Sequence, residues 1–307
     1  MLYPWILFSL FAVSMLVLDL RVFHRPGRAT RPREALGWSS LYILLAAAFA
    51  VLVYFWQGHQ AALEFVTGYV LEFSLSVDNL FLFLVIFNFF AVSEEQQRRV
   101  LFWGILAAIL MRGVFIGTGV GLIARFHWVL YILGALLIYS GIRLCLMGEH
   151  RVDPAANPVV RTLRHWIPVT ASYQGSRFFV RDPQDLRLYA TPLLIVLLVI
   201  ETTDLLFAVD SIPAVLAVTL NAFIVYTSNV FAILGLRSMY FAVSGLMRIF
   251  RFLHYGLAVI LVLVGLKMLF ADYVRIPITA TLGAVAGVLL ISIVLSLAFP
   301  VPHRSES

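Results

Sequence analysis

The stretch Leu71–Phe83, LEFSLSVDNLFLF, sets two carboxylates, Glu72 and Asp78, inside a run whose other residues suit hydrocarbon. Its setting follows from composition: 62% of the 307 residues are apolar and 12% are charged, where soluble domains carry about half apolar and a quarter charged residues. The chain is an integral membrane protein, and the quoted run belongs to a span.

A span needs about 20 apolar residues, and nine segments meet that length: residues 4–20, 37–56, 64–91, 100–122, 127–147, 190–219, 222–246, 254–270 and 276–299. The expected fold is all-α and polytopic, with residues 1–307 forming one transmembrane domain. The first segment has neither a basic start nor a small-residue cleavage site, so it reads as a retained span. Cys145 is the only cysteine and lies among apolar residues, so neither an internal disulfide nor a dithiol motif is available.

The net charge of +6 is distributed by topology. Sixteen of the 22 basic residues follow spans one, three, five and seven or sit at the C-terminus, while the opposite side holds only Arg125 and Arg275. By the positive-inside rule the first side is cytoplasmic, the N-terminus lies outside and the C-terminus inside. Basicity of this pattern points away from nucleic acid. The long connection, 148–189, is cytoplasmic and offers a docking surface for a protein partner. Within it NPVVRTLRHW suggests an interfacial helix, and RFFVRDPQDLRLY suggests two strands around an Asp-Pro turn.

Glu72–Asn79 (EFSLSVDN) has a counterpart in Asp204–Ser211 (DLLFAVDS): in both, an acid stands six residues before an aspartate that a small polar residue follows. Three further pairs keep a similar offset: AILMR ending at Arg112 with AILGLR ending at Arg237, GIR ending at Arg143 with GLK ending at Lys267, and FHW at Phe126 with LHY at Leu253. Spans three to five (about 64–147) are therefore repeated as spans six to eight (about 190–270). A three-span unit must cross in opposite directions in its two copies, the inverted repeat of secondary transporters, whose sites lie near the midplane.

The acids stand where such a site belongs. Glu72, Asp78, Glu201, Asp204 and Asp210 all fall within spans three and six, and each charge at the bilayer centre costs about 3 kcal/mol on insertion scales. Arg112, Arg237 and Lys267 are the candidate charge partners. A purely structural ion network is the bland alternative, but it leaves unexplained why the acids gather on two related spans. Pro213 cannot donate to the Val209 carbonyl, so span six is expected to kink or unwind beside Asp210. The donor set is then Glu72, Asp78, Asn79, Glu201, Asp204, Asp210, Ser211 and the Val209 carbonyl. Nearly all-oxygen sets suit manganese, magnesium or calcium, whereas zinc and copper prefer imidazole and thiolate. A carboxylate that releases its metal can take up a proton, with Glu72 and Glu201 the candidates for coupling.

The same residues carry a family resemblance. ExxxSVDN in span three and ExxDLLFAVDSIPA in span six resemble the two signatures of the TerC family, and TSNVFAILGLRSMYF and YGLAVILVLVGLKML extend the likeness through most of the spans. The resemblance implies a bacterial inner-membrane exporter of manganese, with no permanently bound cofactor and manganese as the transported substrate. It places the family's acidic residues at Glu72, Asp78, Glu201, Asp204 and Asp210.

Two other classes compete. An intramembrane aspartyl protease could use Asp78 and Asp210, but it lacks a Gly-x-Gly-Asp motif and has no need of five acids; the chain is not expected to be an enzyme. A redox modulator or tellurite-resistance factor without transport rests on older family labels. His127 and His254 lie at span ends, as interfacial or structural residues do, and Gly117–Gly121 (GTGVG) lies inside span four with no preceding strand, where glycines let helices approach closely rather than cradle phosphate.

Overall fold

The computed structural model describes residues 3–23, 32–147, 168–181, 187–243, 252–274 and 276–298. Among the described residues are nine helices: α1 (Tyr3–Phe23), α2 (Pro32–Gln57), α3 (His59–Phe89), α4 (Glu94–Arg125), α5 (Val129–Met147), α6 (Pro192–Leu216), α7 (Ala222–Val243), α8 (Leu253–Leu269) and α9 (Ile278–Ala298). Strands β1 (Phe179–Arg181) and β2 (Leu188–Ala190) form an antiparallel pair between α5 and α6. Helices dominate because hydrocarbon offers no partner for an exposed peptide group, and a helix satisfies its own.

Seven of these helices are long and apolar enough to cross a membrane; Tyr3–Leu18 and Leu253–Leu269 are apolar but shorter. The protein is a multi-pass, all-α membrane protein, as the composition demanded. Leu44, Leu52, Leu110, Val114 and Leu290 point outward and are exposed, the arrangement lipid requires.

Local signals set the helix ends. Pro32 and Pro192 open α2 and α6, where the missing N–H has no intrahelical acceptor to lose. Asn221 caps α7, its Oδ1 accepting from the Phe223 and Ile224 amides at 3.2 and 3.4 Å. Before α4, Gln96 Oε1 accepts from the Ser93 amide at 3.1 Å, half of a capping box. Ala91 takes up a left-handed conformation, φ 49°, and turns the chain between α3 and α4.

The chain divides into two compact units: Met1–Arg31, Asn79–Arg112 and Arg151–Ala208, and Pro32–Asp78, Gly113–His150 and Val209–Ser307. Three of the boundaries fall inside helices, α3, α4 and α6.

In the first unit the β-hairpin is anchored to the α3–α4 turn. Gln96 Nε2 donates to the Gly175 carbonyl at 2.8 Å, the Tyr173 hydroxyl to the Phe90 carbonyl at 2.7 Å, and the Arg99 guanidinium lies 5.4 Å from the centre of the Phe178 ring. The expected strands around Asp-Pro are therefore present, while the interfacial helix expected at NPVVRTLRHW lies outside the described residues.

In the second unit α5 and α8 pack antiparallel with almost no gap. A methyl group on Gly141 would come within 2.7 Å of the Ala258 carbonyl oxygen, and one on Gly134 within 3.0 Å of the Gly265 carbonyl oxygen. Leu137, Leu257, Ile260, Leu261 and Val264 fill this seam and meet Leu71 and Leu75 of α3. Phe49 of α2, Phe65 of α3 and Phe231 of α7 form a second, aromatic cluster. Of the glycines in Gly117–Gly121, Gly119 faces the Leu216 side chain at close range, whereas nothing lies within 4 Å of the position a methyl group would take on Gly117 or Gly121. Close helix approach is provided chiefly by α5 and α8 instead.

Candidate functional site

Helix α6 carries Glu201, Asp204, Asp210 and Ser211, and α3 carries Glu72, Asp78 and Asn79. Helical spacing places Glu201 and Asp204 on one face, a turn apart.

In the first unit, Arg112 of α4 is 1% exposed and Asp204 7%. Arg112 Nη2 donates to Asp204 Oδ1 at 3.2 Å, a buried ion pair. The other carboxylate oxygen, Asp204 Oδ2, is buried without a hydrogen-bond partner. Two turns before Arg112, Gly104 makes room for the Glu201 carboxylate: a methyl group there would lie 3.1 Å from Glu201 Oε1. Asn79 is also buried in this unit.

In the second unit Glu72 is completely buried and accepts a long hydrogen bond from Ser76 Oγ at 3.5 Å. Asp78 and Asp210 are half-buried, and Ser211 is buried. Asp210 Oδ1 accepts from Ser140 Oγ of α5 at 2.6 Å. The acids thus fall into two sets: Glu201 and Asp204 with Asn79 and Arg112, and Glu72, Asp78 and Asp210 with Ser211.

Among the described residues, no three His, Cys, Asp or Glu side chains gather closely enough to hold a metal ion. Ionised carboxylates repel one another unless a cation lies between them, and here Asp204 turns to an arginine and Asp210 to a hydroxyl. Helix α6 also runs without interruption through Pro213, so the unwinding expected beside Asp210 does not occur. The proline is accommodated inside a helix whose Ala217 amide still reaches the Pro213 carbonyl at 2.9 Å, and only the donor to Val209 is lost.

Of the other charge partners, Lys267 is half-buried on α8 and interacts electrostatically with Glu64 of α3. Glu64 Oε2 also accepts from Thr219 Oγ1 at 2.6 Å. Neither Glu64 nor Ser140 was among the expected site residues: Glu64 stands near the start of its span, and a lone serine in an apolar helix gives no signal. The Arg237 side chain lies outside the described residues. His127 Nε2 lies 3.3 Å from Asp272 Oδ1, with both side chains exposed. Asp272 also accepts from the Tyr131 hydroxyl, and these two contacts, the tyrosine first, hold its carboxyl below the ordinary value. Cys145 is exposed on α5 rather than enclosed by its apolar neighbours.

A multi-helix membrane protein with paired acidic signatures on α3 and α6 defines a class, and residues 57–303 match the model of the integral membrane protein TerC family. The chain belongs to that family. It is 46% identical to a Myxococcus xanthus protein known as an uncharacterized membrane protein, over 95% of this chain and 91% of that one. It is 45% identical to the putative membrane-bound redox modulator Alx of Salmonella typhi and 43% identical to Alx of Escherichia coli K12, in each case over 95% of this chain and 93% of the other. No solved structure matches the chain.

Proposed function

We propose that the protein exports divalent cations, manganese foremost, across a bacterial inner membrane, using the carboxylates of α3 and α6. The N-terminus is periplasmic and the C-terminus cytoplasmic in this arrangement, following the arginine distribution. The observation that carries the proposal is the burial of acids inside spans: Glu72 is fully buried, and Asp204 is 7% exposed with one oxygen lacking a hydrogen-bond partner. A carboxylate in hydrocarbon costs about 3 kcal/mol, and ionisable groups buried within spans mark a functional site by default.

Each acid has a defined part. Asp78, Asp210, Ser211 and Glu72 offer hard oxygen ligands that select manganese, magnesium or calcium over zinc and copper. Arg112 neutralises Asp204 when no cation is present, and Glu201, one turn away, is placed to exchange a proton for the departing metal.

The names of the Alx relatives favour a second reading, a membrane-bound redox modulator or resistance factor without transport. The two readings separate in one experiment. Cells loaded with manganese and expressing wild type or Asp210→Asn, at equal membrane levels, are compared for cell-associated manganese, magnesium, calcium and zinc by mass spectrometry. Export predicts a selective fall in manganese with wild type alone. Unchanged metals, together with a shift in the cellular thiol–disulfide ratio that survives Asp210→Asn, would support the redox reading.

A further inference from the structure

We infer that Ser140 is the positioning residue of the Asp210 site, orienting that carboxylate and contributing its own oxygen to the cation; this deepens the export reading and rests on it.

Hydroxyls in apolar helices ordinarily spend their proton on their own backbone. Here Thr67, Ser74, Thr202, Thr203, Thr227 and Ser292 each donate to the carbonyl four residues earlier. Ser140 does not follow them: it donates to Asp210, a carboxylate on another helix, at 2.6 Å. A serine oxygen with its proton so engaged keeps two lone pairs, which makes it a neutral, hard ligand beside an anionic one.

Helix α5 is held so that Ser140 has little freedom to drift. The next residue, Gly141, lies against the Ala258 carbonyl and Gly134 against Gly265, in contacts with no room for a side chain. These contacts also carry the mark of the repeat. At the offset of 124 that relates Arg143 to Lys267, the counterpart of Gly141 is Gly265 and that of Gly134 is Ala258. Gly134 touches Gly265 and Gly141 touches Ala258, so each contact is the image of the other, as in a two-fold interface. The counterpart of Ser140 under the same offset is Val264, which has no hydroxyl. The hydroxyl is therefore not a residue of the packing that both copies share; it belongs to Asp210.

The test is manganese flux into proteoliposomes of the purified full chain, measured against manganese concentration for wild type, Ser140→Ala, Ser140→Thr and Asp210→Asn. Loss of a hydrogen bond to a charged group should raise the half-saturating concentration of Ser140→Ala about tenfold with the maximal rate retained, and Ser140→Thr should bring it back toward wild type. If Ser140→Ala does not accumulate, Ser140→Cys replaces it under the same criteria. Unchanged half-saturation, or a fall in maximal rate alone, while Asp210→Asn is inactive overturns the role of Ser140 and leaves export standing. Full activity of Asp210→Asn overturns both.

Discussion

Asp204 and Asp210 stand six residues apart on α6, yet they are held by opposite means. Asp204 is buried against an arginine, a full charge meeting a full charge, and leaves its second oxygen without a hydrogen bond. Asp210 is half-buried and meets the hydroxyl of Ser140, a neutral donor. Removing either member of a buried ion pair leaves the other uncompensated; removing the charge of a carboxylate that accepts from a hydroxyl leaves an acceptor still in place. One helix thus carries an acid held by a buried arginine and an acid oriented by a hydroxyl.

The largest expected effect breaks the first half of this contrast. Arg112→Met should destabilise the protein by about 3–5 kcal/mol, the cost of orphaning a buried partner, seen as a lower melting temperature in detergent and a lower membrane level. Joining it to Asp204→Leu should restore much of that stability without restoring transport. If Arg112→Met melts like wild type, the pair is not what holds Asp204.

Next in size is the seam that holds α5. Gly141→Ala places a methyl group 2.7 Å from a backbone oxygen, and overpacking of this kind costs about 1–3 kcal/mol. The melting temperature should fall, and Gly117→Ala, where the space is open, should leave it in place.

Asp210→Asn sharpens the second half. Its amide oxygen still accepts from Ser140, so stability should change by about 1 kcal/mol or less while manganese efflux is abolished. A large loss of stability would mean that the fold depends on the Asp210 charge as it does on that of Asp204.

The smallest effect lies outside the spans, at Asp272. Its carboxyl is held below the ordinary value by Tyr131 and His127, and a depressed folded-state value means that the contribution is present above the unfolded value and lost as pH falls through the folded one. Asp272→Asn should therefore melt slightly below wild type at neutral pH, and the gap should close in acid below the ordinary carboxylate range. A gap that widens in acid would reverse the assignment.

The architecture was legible because lipid enforces it: a run of about 20 apolar residues has few alternatives to a span, and the two strand-forming runs between α5 and α6 do pair. That acids and Arg112 lie within the spans was also legible, since their cost is visible in any apolar run. Partner choice was not. Nothing in the order of residues says that Arg112 takes Asp204, that Lys267 faces Glu64, or that one serine among many leaves its own backbone for Asp210, because these depend on which helix faces meet. The helix does not unwind at Pro213 for a related reason: a proline removes one donor, and a long helix can continue past that loss. The glycines of Gly117–Gly121 drew the eye by their density, whereas Gly134, Gly141 and Gly265, spread over two helices, make the tighter contacts.

The most direct test is manganese flux across proteoliposomes that contain only the purified protein, with a fluorescent indicator inside and a matched Asp210→Asn preparation beside it. The account predicts flux with wild type, competition by other hard divalent cations, and none above the protein-free rate with Asp210→Asn. No flux with correctly folded wild type, or equal flux with Asp210→Asn, would contradict it.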